Sequence, residues 1–273
     1  MIAASIDFVR LPDGGSLAYE VRGPDRAPPI LLIRPLGGSL VSWGTFADAL
    51  ATRLRVIAFD ARGTGQSSPA TLSTSTRSMA KDALALLDAL GLERVHAYGI
   101  SLGGMVATWL AIDAPTRLDH LVLASTPPRG TMLRSDAPLR ALSIARCLAR
   151  PAPEAEACLA TRVLSREFQR THPVEVARIR ALAARRPASH RALLTLLAAA
   201  ARHDATARLG DVRADTLLIA GERDRLIAGG SQRRMLARIP RARLEIAPGA
   251  GHDVSAEAPE WVAARVLLHV YAE

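Results

Sequence analysis

Lysine is almost missing from this chain of 273 residues: Lys81 is its one occurrence among 35 basic side chains. Aromatic residues make up only 4% and cysteine occurs twice, as Cys147 and Cys158. So few rings leave little on which to stack bases and no nucleic-acid-binding module is recognisable, so the net charge of +9 is not read as nucleic-acid binding. Only Val95 to Ile112 approaches a membrane span in length without an acid or a base; Gly99, Ser101, Gly103 and Gly104 in its middle make it read as a strand and a helix, so no membrane partner is expected. The N-terminus lacks a basic start and an apolar core and carries Asp7, which predicts no secretion signal and a cytoplasmic location. Cys147 and Cys158, eleven apart in helical sequence, match no metal or redox spacing and are expected to be free buried thiols in a reducing compartment. The chain has no phosphate loop, dinucleotide fingerprint, metal-ligand cluster or internal repeat, so no cofactor and no metal is expected.

What is present is an ordinary globular composition, 49% apolar and 22% charged, long enough for one sizeable core or for one core plus an insertion. The charge is unevenly spread. Between Arg129 and Arg208 lie fifteen arginines and six acids, which accounts for the whole positive excess; the remainder holds twenty bases and twenty acids.

Short apolar runs recur at Ile6–Leu11, Leu17–Val21, Ile30–Ile33, Leu54–Phe59, Val95–Ile100, Leu121–Ala124, Thr216–Ala220 and Leu244–Ala247. Pro12-Asp13-Gly14-Gly15 reads as a turn pairing the first two. The others alternate with helical stretches near Ser42–Leu50, Met79–Leu90, Leu102–Ile112, Gln232–Ile239 and Pro259–Tyr271, which predicts a mostly parallel sheet with helices on both faces. Ligands of such sheets bind beyond the carboxyl ends of the strands. The alternation breaks between about 127 and 210. There Leu139, Leu142, Ala145 and Leu148 make one helical face, Val174, Ala177 and Leu182 a second, and Leu193, Leu194, Leu196 and Leu197 a third, while prolines 138, 151, 153, 173 and 187 divide the segment into about four helices. The expected organisation is a core domain over 1–128 and 209–273, with an all-helical cap inserted over 129–208.

The chemistry starts at Gly99-Ile100-Ser101-Leu102-Gly103, between the strand-like RVHAYGI and the helix-like LGGMVATWLAI. A sharp strand-to-helix turn holds a serine hydroxyl out of the fold, and side chains at 99 and 103 would collide with neighbouring backbone. Ser101 is the candidate nucleophile. It needs a base and the base an orienting acid. His252 follows a strand within the flexible Pro248-Gly249-Ala250-Gly251, whereas His96, His120, His172, His190, His203 and His269 read as surface or satisfied core residues. The acid is expected at the end of Thr216–Ala220, where Asp224 is placed to reach over and Glu222 is its rival. Oxyanion donors are expected from the N–H of Leu102, at a helix N-terminus, and of Leu36, with Gly37 and Gly38 letting backbone approach the substrate.

With these residues in place, the chain resembles the α/β-hydrolase superfamily over essentially its full length. Besides the GISLGG elbow it has Asp60-Ala61-Arg62-Gly63-Thr64-Gly65-Gln66-Ser67, similar to the D-x-R-G-x-G-x-S turn of that superfamily, Gly221 to Asp224 as G-x-x-D, and GHDVSAEAPEWV near the end. The resemblance implies a Ser101–His252–Asp224 triad and an acyl-enzyme route to hydrolysis of an ester or a lactone of small to medium size; the relatives it brings in include carboxylesterases, enol-lactonases, C–C hydrolases and a carrier-protein methyl esterase. One departure is Arg34-Pro35-Leu36-Gly37-Gly38, where most relatives carry His-Gly before the oxyanion residue. Arg34 is either paired with an acid or in contact with an anionic substrate. The arginine-rich cap raises an alternative, docking of an acidic acyl carrier protein. A reading of another class is a catalytically silent small-molecule receptor or interaction module, for which loss of a triad residue would be expected; none is missing.

Overall fold

The computed structural model describes residues 5–130, 144–227 and 229–272. Strands β1 (Asp7–Arg10) and β2 (Ser16–Arg22) form an antiparallel hairpin closed by the expected turn, in which Gly14 takes φ 85° and the Asp13 carboxylate accepts from the Gly15 N–H. There follow β3 (Pro29–Ile33), α1 (Gly44–Leu50), β4 (Arg55–Phe59), α2 (Thr76–Ala89), β5 (Val95–Ile100), α3 (Leu102–Asp113) and β6 (Leu118–Ala124). The sheet resumes with β7 (Asp215–Gly221), α8 (Gly229–Leu236), β8 (Ala242–Ala247), α9 (Val254–Glu257) and α10 (Pro259–Val270). The intervening helices are α4 (Ala152–Arg162), α5 (Arg166–Thr171), α6 (Pro173–Arg185) and α7 (His190–Ala201), preceded by a helical stretch over 144–148.

The eight strands lie in the order β1-β2-β4-β3-β5-β6-β7-β8, parallel from β4 through β8, with β2 antiparallel to β4. The order is what places the site. From β3 the chain runs through α1 to β4 on one side, and from β5 through α3 to β6 on the other, so the loops leaving β3 and β5 diverge and open a crevice at their carboxyl ends.

β5 is buried along its whole length, and the strands on either side of it bury both faces. On one face α2 and α3 pack Leu86, Leu87, Val106 and Leu110 against Leu31, Ala97 and Leu121; on the other α1 and α10 pack Phe46, Leu50, Val262 and Val266 against Ile30, Tyr98 and Val122. Each fully buried large apolar side chain contributes about 1.5–3 kcal/mol, so these two layers fix the sheet on which the loops sit. Val95–Ile112 resolves into β5 and α3, and no helix among the described residues is long and apolar enough to cross a membrane.

Two expectations for the intervening helices change. Cys147 and Cys158 are not free thiols but a disulfide. The chain turns at 149–151, where Pro151 caps α4, and this reversal brings two cysteines eleven apart to a Cα separation of 5.4 Å, within disulfide reach. The face of Val174, Ala177 and Leu182 is no core: Val174 is 83% exposed and α6 buries none of its residues. Leu193 and Leu196 are buried as their spacing predicts, whereas Leu194 is exposed. Leu139, Leu142 and Pro138 lie outside the described residues.

Candidate active site

Ser101 follows β5 and precedes α3 with φ 56° and ψ −118°, a left-handed conformation that costs a non-glycine residue about 1–3 kcal/mol. Neighbouring groups hold it there. Its N–H donates to the Ala124 carbonyl at 3.0 Å, and its carbonyl accepts from the Met105 N–H and the Thr126 hydroxyl. A β-carbon on Gly103 would lie 2.0 Å from the Ile33 carbonyl oxygen, and one on Gly99 would lie 2.4 Å from the Gly103 carbonyl oxygen. The two glycines thus let α3 start directly against the ends of β3 and β5. Leu102 is the first residue of α3, so its N–H is among those the helix leaves without an intrahelical partner.

His252 and Asp224 meet from separate strand ends, Nδ1 of the imidazole 2.9 Å from Oδ2, both side chains only 4% exposed. The other carboxylate oxygen of Asp224 accepts from the N–H groups of Leu226 and Ile227 at 2.8 and 3.0 Å. Burial alone would raise Asp224, but the imidazole's charge and hydrogen bond and these two amides hold it below the usual carboxylate range. Burial likewise works against a charged His252, and the Asp224 carboxylate overcomes it, leaving the imidazole above its ordinary value. Glu222, the rival acid, is engaged elsewhere: it accepts from the Gly249 N–H at 2.7 Å and holds the loop that carries His252.

A cavity of about 1580 Å³ is lined by Ser101, Leu102, Leu36 and His252, together with Arg34 and Gly38. Gly37 is not among its lining residues. Its φ is 75°, and a β-carbon there would lie 3.0 Å from the Leu193 side chain and 3.5 Å from Glu156, so it gives the β3 loop room beneath α4 and α7. Arg34 is almost buried, with its guanidinium 4.5 Å over the Trp43 ring and 3.5 Å from the Asp253 carboxylate. Burial lowers its pKa, against the attraction of Asp253.

Three groups had no signal in the sequence. Glu156 on α4 accepts from the Ala188 N–H at 2.6 Å, and burial raises its carboxyl to about 8. The Val163 carbonyl, between α4 and α5, accepts from the His252 N–H at 2.8 Å. Glu257, on the short α9 that follows His252, accepts from the Ser165 N–H and hydroxyl at 2.8 and 2.6 Å, tying the same junction to the histidine loop. The Asp60 turn is structural: its carboxylate accepts from the Leu40 and Gln66 amides at 2.7 and 2.9 Å, anchoring the segment that follows the β3 loop.

Comparison with known proteins agrees with this architecture. The family model described as alpha/beta hydrolase fold matches residues 28–259. The chain is 33% identical over 264 residues to the putative carbamate hydrolase RutD of Caulobacter sp. (strain K31), covering 94% of this chain and 96% of that protein. Among solved structures it is similar to a hydrolase from Pseudomonas aeruginosa PA01, with 32% identity, TM-score 0.85, and coverage of 99% of this chain and 100% of that one. A thermophilic esterase from Thermogutta terrifontis superposes with TM-score 0.81 at 27% identity, covering 97% of each chain.

Proposed function

The chain belongs to the alpha/beta hydrolase fold family, and from that premise we propose that it is a serine hydrolase cleaving a carboxylic ester or lactone through an acyl-enzyme. The observation that carries the reading is the strained Ser101, facing the same cavity as an imidazole whose Nδ1 is held by a buried carboxylate. With Nδ1–H donating to Asp224, Nε2 is left with a lone pair to take the proton from the Ser101 hydroxyl as its oxygen adds to the substrate carbonyl. The oxyanion that forms is met by the N–H groups of Leu102 and Leu36, each donor contributing about 2.7–4 kcal/mol to the transition state. His252 then returns the proton to the leaving alkoxide, and water repeats the sequence to release the acid and restore Ser101.

The test is covalent and kinetic. A fluorophosphonate probe should label the protein at Ser101, with no labelling in Ser101→Ala. Nitrophenyl esters of graded acyl length, a lactone and a carbamate, which presents the same trigonal carbonyl, should be compared for turnover. Unlabelled protein with no turnover would overturn the reading in favour of a receptor that has kept the fold; turnover of the carbamate alone would replace ester with carbamate.

A further inference from the structure

Three arginines flank the acid–base pair with no ion pair of their own among the described residues. Arg162 ends α4, Arg166 begins α5, and Arg225 follows Asp224 directly. All three line the cavity that holds Ser101 and His252, and Arg166 and Arg225 also line an adjoining pocket of about 440 Å³ shared with Asp224. Arg162 and Arg166 are placed by the backbone: the Val163 carbonyl on the His252 N–H and the Ser165–Glu257 pair clamp the 162–166 turn against the histidine loop.

Arg129, Arg150 and Arg180 line the same cavity and also carry no ion pair among the described residues, but only Arg166 and Arg225 among the arginines line both it and the pocket that reaches Asp224. Arg223 pairs with Glu167, Arg178 with Glu175 and Arg34 with Asp253, whereas Arg162, Arg166 and Arg225 have no ion pair among the described residues. The acids at this seam are already engaged, Asp224 by His252 and two amides, Glu257 by Ser165, Glu167 by Arg223. What remains is positive charge at the mouth of a cavity whose walls include the apolar Leu36, Trp43, Leu159 and Leu182. Such a site suits an amphiphile: an apolar chain inside, an anion at the rim.

We propose that Arg162, Arg166 and Arg225 form a subsite for an anionic group, a carboxylate or a phosphate, at the end of the substrate away from the carbonyl that meets Ser101. The proposal rests on the serine hydrolase reading for its orientation. Guanidinium forks bind either anion through paired N–H donors. Charge-assisted bonds of this kind correspond to about a tenfold to hundredfold preference over a neutral end, reduced as salt screens the exposed rim.

The experiment compares nitrophenyl hemisuberate with nitrophenyl octanoate, one anionic and one neutral at the far end, together with an analogue ending in a phosphonate to separate the two head groups. The kcat/KM ratio of anionic to neutral ester should be at least about tenfold in the wild type and fall towards one in Arg166→Gln/Arg225→Gln, mainly through KM. Arg166→Lys/Arg225→Lys should recover part of it. Arg10→Gln, exposed on β1 at the far edge of the sheet, should leave the ratio in place and so exclude an effect of overall charge. A wild-type ratio near one, or a ratio that survives the double Gln variant, overturns the proposal. Calorimetry with suberate and octanoate on Ser101→Ala reads the subsite without turnover: suberate should bind at least about tenfold more tightly, and lose that margin in the Gln variant. Absence of ester turnover with that binding pattern intact would sink the hydrolase reading alone; equal binding of the two acids would sink the subsite alone.

Discussion

Replacing Asp224 with asparagine removes a charge and almost no volume, and the hydrogen bonds around it set how the imidazole must respond. One carboxylate oxygen accepts from the Leu226 and Ile227 N–H groups, the other faces Nδ1 of His252. An amide in this place keeps its carbonyl oxygen towards the two N–H donors, because the opposite orientation sets NH2 against N–H. Its NH2 then faces Nδ1, which must accept, so the ring proton moves to Nε2, the atom that has to receive the serine proton. The geometry survives and the tautomer is wrong, a change that costs about 10⁴ in kcat, or about 5.5 kcal/mol of transition-state stabilisation. Asp224→Ala differs: it leaves two amides without their acceptor at about 1–3 kcal/mol each, so it should melt lower than Asp224→Asn while being similarly inactive. The assay is initial rates on a nitrophenyl ester with melting curves for both variants. Asp224→Asn retaining more than about a tenth of wild-type kcat would refute the assignment of acid and base.

Because His252 must be neutral to accept a proton and its folded pKa lies above the ordinary 6.5, kcat/KM should rise with pH along a limb centred above pH 6.5, read from a pH–rate profile; a limb below that value contradicts the pairing. The same pair contributes stability present below pH 6.5 and lost as pH rises through the folded value of His252, while the lowered Asp224 contributes stability lost as pH falls through its folded value. Gly103→Ala drives a β-carbon to 2.0 Å from backbone that cannot yield, and should cost about 3 kcal/mol in denaturant unfolding, whereas Gly230→Ala, with 3.6 Å to the tip of Arg234, should be neutral or slightly stabilising. His120 lies tilted against His96 and edge-on to His269, with ring centroids 5.1 and 5.0 Å apart, and burial lowers His96 and His269 to about 4. Their contribution is complete above pH 6.5 and is lost as pH falls towards 4, so melting should drop over that window and drop less in His96→Gln/His269→Gln; parallel curves for the two proteins would count against it.

The strands and sheet-flanking helices were legible because each is a local pattern read against one face. VHAYGI has nothing charged in it because β5 is buried on both sides, and the turn at 12–15 is closed within itself by the Gly15 N–H donating to Asp13. The placement of Ser101, Asp224 and His252 was legible for a related reason: each stands just beyond a strand, and parallel strands bring all such positions to one edge of the sheet. The glycines at 99 and 103 report in sequence a close approach of backbone that only three dimensions can display.

The helices between β6 and β7 carry no such common edge, so their contacts depend on packing that periodicity does not encode. Val174 has helical spacing with apolar neighbours and is nonetheless exposed, because α6 lies on the outside of α4 and buries no residue of its own. The cysteines read as free thiols because a spacing of eleven matches no metal or redox pattern, whereas the turn at 149–151 folds that distance back on itself. Glu257 is the clearest case. In sequence it is one more acid on a short helix; in space its carboxylate accepts from Ser165 while the Val163 carbonyl accepts from His252, so the helical segment is tied to the histidine loop at two points. An acid that pairs with a residue 92 positions away leaves no local trace in the sequence.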